Sequence, residues 1–179
     1  ALERHTLHMG TLINAKLFGA TPEAVKHYAI VFEDKVTDYD DLMSVHKDTP
    51  LNEVNRRAGE PVEVPCEIAD MTKQALAIAD ETNGAFEPMI GPVVNLWKIG
   101  GEHVPSDEAI AEAVSKVDRS KVRVWREGGR CMMQIAKGQS IDMGAIAKGF
   151  IGQRLSDILK HAGMTRGVLD LGGNIVAVG

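Results

Sequence analysis

Cysteine, aromatic residues and long apolar runs are all scarce in this chain, and each shortage removes a class of protein. Cys66 and Cys131 are the only cysteines among 179 residues. Neither stands in a metal-binding spacing, which excludes a zinc-finger type of domain. They read as two reduced, buried thiols, with a disulfide between them as the alternative. Aromatic residues make up 4% of the chain, a low share. Positive charge is not in excess: the net charge is −5, with acids and bases interspersed, so no basic face for nucleic acid is present. No apolar run approaches the ~20 residues of a membrane-spanning helix. The Gly-x4-Gly-Lys-Ser/Thr order of a Walker loop is missing, and so is the G-x-G-x-x-G dinucleotide fingerprint. Repeats, low-complexity tracts and linkers are missing too, which favours one continuous α/β domain. Ala1 heads the chain where an initiator Met would stand. The chain therefore reads as processed or trimmed, with any signal peptide or lipid anchor already removed.

What is present alternates between helical and strand patterns. Leu2 to Phe18 alternates as a strand or hairpin, and Gly10 inside it reads as an edge-strand bulge. Thr21-Pro22-Glu23 opens a helix with a capping hydroxyl, proline at the first helical position and an early acid. Apolar residues from Val25 to Met43 then recur at three and four residues, and the acids between them read as a solvated face. Ser44 to Pro50 is irregular, and His46 within it reads from its surroundings as an exposed loop histidine. A short helix over Leu51–Arg57 and an extended piece over Pro61–Pro65 follow. A helix over Cys66–Thr82 ends at a left-handed Asn83-Gly84 cap. Ala85 to Trp97, with two prolines around Gly91, reads as a rigid loop with no helix before Val93. Such a loop could hold a ring system, or it is a connection packed into the core with Trp97 as a core anchor. Pro105-Ser106-Asp107 caps a helix over Glu108–Val117, with Ile110, Ala113, Val114 and Val117 inward. A hairpin turning at Gly128-Gly129 joins Val122–Arg126 to Arg130–Ile135.

The last forty residues carry the chemistry. In Asp142-Met-Gly-Ala-Ile-Ala-Lys-Gly the backbone turns just before a helix, whose free N–H groups and dipole would face an anion. Lys148 could reach a phosphate there as a point charge, and Asp142 could accept from a hydroxyl or ring N–H. On the residues alone, a structural helix start with a solvated lysine explains the segment equally well. Gly163 ends the helix, and an apolar run with a second glycine turn, Gly172-Gly173, follows.

Five segments in order resemble the ApbE family, the FAD:protein FMN transferases. They are the Met9-Gly10-Thr11 strand and the Met43-Ser-Val-His-Lys-Asp48 turn reaching Asn55. Next come Gly84-Ala-Phe-Glu-Pro88 through Asn95-Leu-Trp97, Ile141-Asp-Met-Gly-Ala-Ile-Ala-Lys-Gly149, and Leu171-Gly-Gly-Asn174. The resemblance implies an α+β or α/β, T-fold-related mixed sheet with packed helices in one domain. It also implies Mg²⁺-dependent transfer of FMN from FAD to a Thr or Ser hydroxyl of a target flavoprotein, with AMP released. Carried over, Met9, His46, Ala85, Phe86, Glu87, Asp142 and Lys148 would contact FAD, and the Ala145 carbonyl would reach Mg²⁺. No catalytic residue is assigned.

This chain departs from the family at particular positions. His46 stands where Tyr is frequent, Glu87 where Asp is usual and Met89 where Thr is usual, and the Ser44–Asn55 loop is one residue short. Family members continue past Leu-Gly-Gly into a part that carries the metal's side-chain ligands, so the chain is expected to be incomplete at its C-terminus. One backbone carbonyl is far from the about six oxygens that Mg²⁺ takes. Alternative expectations are an FAD pyrophosphatase and a flavin-binding module without catalysis. The family is usually exported and tethered outside the bacterial cytoplasmic membrane, although cytoplasmic members exist.

Overall fold

The computed structural model describes residues 1–44, 47–97 and 101–179. In chain order these form β1 (Leu2–His8), β2 (Thr11–Phe18), α1 (Pro22–Met43), α2 (Pro50–Arg56), β3 (Val62–Val64) and α3 (Cys66–Glu81). There follow a 3-10 turn (Pro88–Ile90), α4 (Gly91–Trp97), α5 (Asp107–Ser115), β4 (Arg123–Glu127) and β5 (Arg130–Gln134). The order closes with α6 (Ala147–His161), β6 (Arg166–Leu171) and β7 (Asn174–Val178). The chain divides into two compact units, one of residues 1–49 with 146–179 and one of residues 50–145. Every strand pairing in both is antiparallel. Of the two expected classes, α+β is therefore the one that applies.

The first unit has one sheet of order β1-β2-β6-β7, covered by α1 and α6. Alternation in β2 buries Ile13, Ala15 and Leu17, which pair with Leu171, Leu169 and Gly167. Those positions share one face because side chains alternate along a strand. Phe32 and Val36 of α1 and Ile151, Leu155 and Leu159 of α6 close over that face, all fully buried. Each such side chain contributes roughly 1.5–3 kcal/mol on leaving water. Helix α1 starts as the sequence predicts: Thr21 Oγ1 accepts from the Ala24 N–H at 3.1 Å, with Pro22 next in line. Its acids are not all on a solvated face, however. Asp40 is buried, 6% exposed, because it is tied to the β1–β2 turn.

Gly10 is not a bulge. His8 pairs with Thr11 and leaves Met9-Gly10 as a two-residue turn, with φ of 52° and 67°. Positive φ at both centres is what a tight hairpin turn needs to match strand twist.

The second unit packs α3 on a three-stranded sheet of order β3-β5-β4. Ile68, Met71 and Ala75 of α3 are buried, as are Met133 and Ile135 of the strand region. Here the reduced-thiol expectation fails. Val64 pairs with Cys131, and Cys66 lies two residues past Val64, so the two Cα atoms stand 5.3 Å apart and the cysteines form a disulfide. Three further expectations also change. Helix α4 begins at Gly91, ahead of Val93, where a Cβ would fall 2.0 Å from Ser140 Oγ and glycine alone fits. Trp97 is no core anchor: it ends that short helix 43% exposed. Val114 is likewise 52% exposed, since nine-residue α5 buries only Ala113.

Candidate functional site

In the first unit three expected features share one end of the sheet. The Met9-Gly10 and Gly172-Gly173 turns are neighbours: the Gly172 N–H donates to the Leu12 carbonyl at 3.2 Å. A Cβ on Gly172 would meet Thr11 Oγ1 at 2.4 Å, so glycine is what lets the turns approach. Gly152 of α6 faces Leu171, Asn174 and Val176 just beside the second turn. The start of α6, with Lys148 as its second residue, therefore lies at this same end. No side chain caps α6, whose preceding residue is Ile146, so its first N–H groups are not taken by a capping group. That is the arrangement an anion needs at a helix N-terminus.

Beneath Met9 lies a buried carboxylate. Asp40 Oδ1 accepts the Met9 N–H at 2.6 Å, and Oδ2 lies 2.7 Å from Lys47 Nζ and 3.2 Å from His8 Nδ1. Burial pushes the Asp40 carboxyl up, but bonds from Lys47, Met9 and His8 outweigh it and hold its pKa at about 2. His46 lies outside the described residues.

In the second unit the Ala85-Phe86-Glu87 loop leaves α3 through left-handed Asn83 and Gly84. The Thr82 hydroxyl then accepts the Phe86 N–H at 3.2 Å. Ala85 is exposed, and Phe86 and Glu87 are half-buried. Both carboxylate oxygens of Glu87 are engaged: Oε1 accepts the Met89 N–H at 3.0 Å, and Oε2 accepts from Arg119 Nη1 at 2.8 Å. Arg119 also bonds Asp80 at 2.7 Å, and these two carboxylates, Asp80 first, raise its pKa. Asp80, Glu87, Asp118 and Arg119 line a cleft of about 500 Å³ with Leu76, Val117 and Ser120. The same loop meets the Asp142 segment, because the Pro88 carbonyl accepts the Asp142 N–H at 2.8 Å. Asp142 Oδ1 in turn accepts the Gly144 N–H at 2.7 Å and closes a tight turn. Asn55 clamps the segment from behind, accepting from the Ile141 N–H at 2.8 Å and donating to its carbonyl at 3.0 Å.

Ala145 is exposed and is the last residue of the second unit. Among the described residues no group of three or more His, Cys, Asp or Glu could hold a metal ion. The side chains of the described residues do not by themselves make a Mg²⁺ site.

Sequence reasoning missed three supports of these features. Asp40 was hidden by the helical spacing of its neighbours, and Arg119 carries no local signal. Asn55 stands inside a motif but gives no hint of its partner 86 residues away.

This arrangement of helices on antiparallel sheets is like that of solved flavin transferases. A solved flavin transferase ApbE from Vibrio cholerae superposes with a TM-score of 0.85 at 25% identity, over 99% of this chain and 60% of that one. The apbe protein from Thermotoga maritima gives 0.87 at 25% identity, over 99% and 59%. The model of the ApbE family matches residues 9–179. A FAD:protein FMN transferase of Treponema pallidum is 33% identical over 98% of this chain and 51% of its own length. One from Klebsiella pneumoniae is 32% identical over 79% and 46%. The chain belongs to the ApbE family, and it spans about half the length of these two curated relatives.

Proposed function

We propose that this chain serves FAD:protein FMN transfer, with FAD as donor and a Thr or Ser hydroxyl of a target flavoprotein as acceptor. The observation that carries the reading is the 33% identity to the Treponema pallidum transferase over nearly the whole chain. The hydroxyl oxygen attacks the FMN-side phosphorus, the bond from that phosphorus to the bridging oxygen breaks, and AMP leaves with the bridging oxygen. The hydroxyl proton is given up to a base. Mg²⁺, when bound, would offset charge on the pyrophosphate, and the Ala145 carbonyl would be this chain's one contribution to holding it.

The work of this chain's own residues is to bind and orient. Lys148 and the open N-terminus of α6 take the pyrophosphate. Met9, the Ala85-Phe86-Glu87 loop and Asp142 take the rest of FAD, and the family resemblance adds His46 as a contact. The family match through both compact units supports their being parts of one transferase domain. The Cys66–Cys131 disulfide supports an oxidising compartment, the periplasm or the outer side of the cytoplasmic membrane.

The test incubates the protein, as the cell makes it, with FAD, MgCl₂ and a threonine-bearing acceptor flavoprotein. AMP release together with an acceptor that stays fluorescent on a denaturing gel is the expected result. AMP and free FMN formed at the same rate without acceptor would make it a pyrophosphatase. FAD bound but never consumed would make it a flavin-binding module.

A further inference from the structure

Met9 holds a backbone conformation that its side chain disfavours. Its φ of 52° is left-handed, and among the described residues only Asn83 is another non-glycine there. Asn83 sits at a helix end, where asparagine is a usual occupant. Met9 sits first in a two-residue hairpin turn, where Asn, Asp or Gly is the usual choice. Such a residue stays in place only where its surroundings over-determine it.

Asp40 is what over-determines it. This carboxylate reaches the Met9 N–H from α1, a 22-residue helix anchored by buried Phe32, Val36 and Tyr39, so its position is rigid. Lys47 and His8 hold the other oxygen. A buried carboxylate is costly unless fully bonded, and this one spends a short, charge-assisted bond on a single turn amide.

We infer that Asp40 is a positioning residue for FAD: it fixes Met9 in the left-handed conformation in which that residue meets the flavin nucleotide. This rests on Met9 as an FAD contact, as proposed above. Asp40 then acts through Met9 and does not touch the ligand. A carboxylate that served only to stabilise the hairpin would lower the melting temperature without its effect on FAD depending on the Met9 side chain.

A double-mutant cycle on FAD affinity separates these roles. The FAD dissociation constant is measured for the natural protein, Met9→Ala, Asp40→Ala and the double variant. Each single substitution is expected to weaken binding about tenfold, the scale of one charge-assisted bond or one lost contact. The double variant should bind within about threefold of the weaker single. An additive loss near a hundredfold overturns the inference, and so does unchanged affinity in Asp40→Ala. Should Asp40→Ala fail to fold, Asp40→Asn replaces it, keeping one carbonyl acceptor and the side chain's size. A smaller, still non-additive loss is then expected, and an additive or absent one overturns the inference. If Met9→Ala alone binds FAD normally, the inference falls while the transferase reading stands. If the natural protein binds no FAD, both fall.

Discussion

Arg119 Nη1 lies 2.8 Å from Glu87 Oε2, while the other oxygen of Glu87 caps the Pro88–Ile90 turn through the Met89 N–H. One side chain thus sets the course of the loop proposed to grip FAD. Glu87→Ala removes the cap and the ion pair together and is expected to cost about 1–3 kcal/mol of stability. Glu87→Gln keeps the cap alone and should lose less. Arg119→Ala should shift stability in the same direction. Urea unfolding midpoints give the order, and equal midpoints for the Ala and Gln variants of Glu87 would mean that the pair with Arg119 contributes nothing.

The Cys66–Cys131 bridge closes a 65-residue separation inside the second unit. Constraining a loop of that length in the unfolded chain contributes about 4 kcal/mol in the chain-entropy account, and removal of native bridges typically costs 2–5 kcal/mol. Unfolding with and without reductant should therefore differ by several kcal/mol. Thiol titration of the native protein should find no free cysteine before reduction and two after it.

Asp40 gives the first unit an acid-sensitive point. Its folded pKa of about 2 lies below the ordinary 3.8. A depressed folded value means that the stabilisation is fully present above pH 3.8 and is lost as pH falls through the folded value. The loss is expected to be roughly 1–2 kcal/mol between about pH 4 and 2. Melting temperatures of the natural protein and Asp40→Asn over that range measure it: the gap between them should close as pH falls. A gap independent of pH would show that the charge on Asp40 is not what stabilises the turn.

Local signals in the sequence were enough for most elements. Thr21-Pro22 marks the start of α1, Asn83-Gly84 the end of α3, Pro105-Ser106-Asp107 the start of α5 and Gly128-Gly129 the β4–β5 turn, because each depends on its own backbone. What escaped depends on partners distant in the chain. The disulfide follows from β3–β5 register, and the burial of Asp40 from a turn 31 residues earlier. Met9-Gly10 escaped for a different reason: methionine is not a usual turn residue, so only the pairing of His8 with Thr11 reveals the turn. Of the expected FAD contacts, the Glu87 loop and Asp142 meet within the second unit. Met9 and Lys148 share one end of the first unit's sheet. The family resemblance names all of these as FAD contacts without pairing them, and their supports are not legible in the sequence.

Lys148 tests the candidate site most directly. It is the second residue of α6, and among the described residues it makes no ion pair or hydrogen bond. Nothing in the fold therefore requires its ammonium, and alanine is an equally good helix former. Lys148→Ala should leave the unfolding midpoint within about 0.5 kcal/mol of the natural protein. Loss of a charge-assisted phosphate contact should weaken FAD binding by about 1.5–3 kcal/mol, at least tenfold. Lys148→Arg should recover part of the affinity, since charge is kept but the guanidinium's shape differs. The dissociation constant of FAD at two salt concentrations is the measurement, and the alanine variant should show the weaker salt dependence. Equal losses of folding stability and binding would instead make Lys148 a structural part of the helix start.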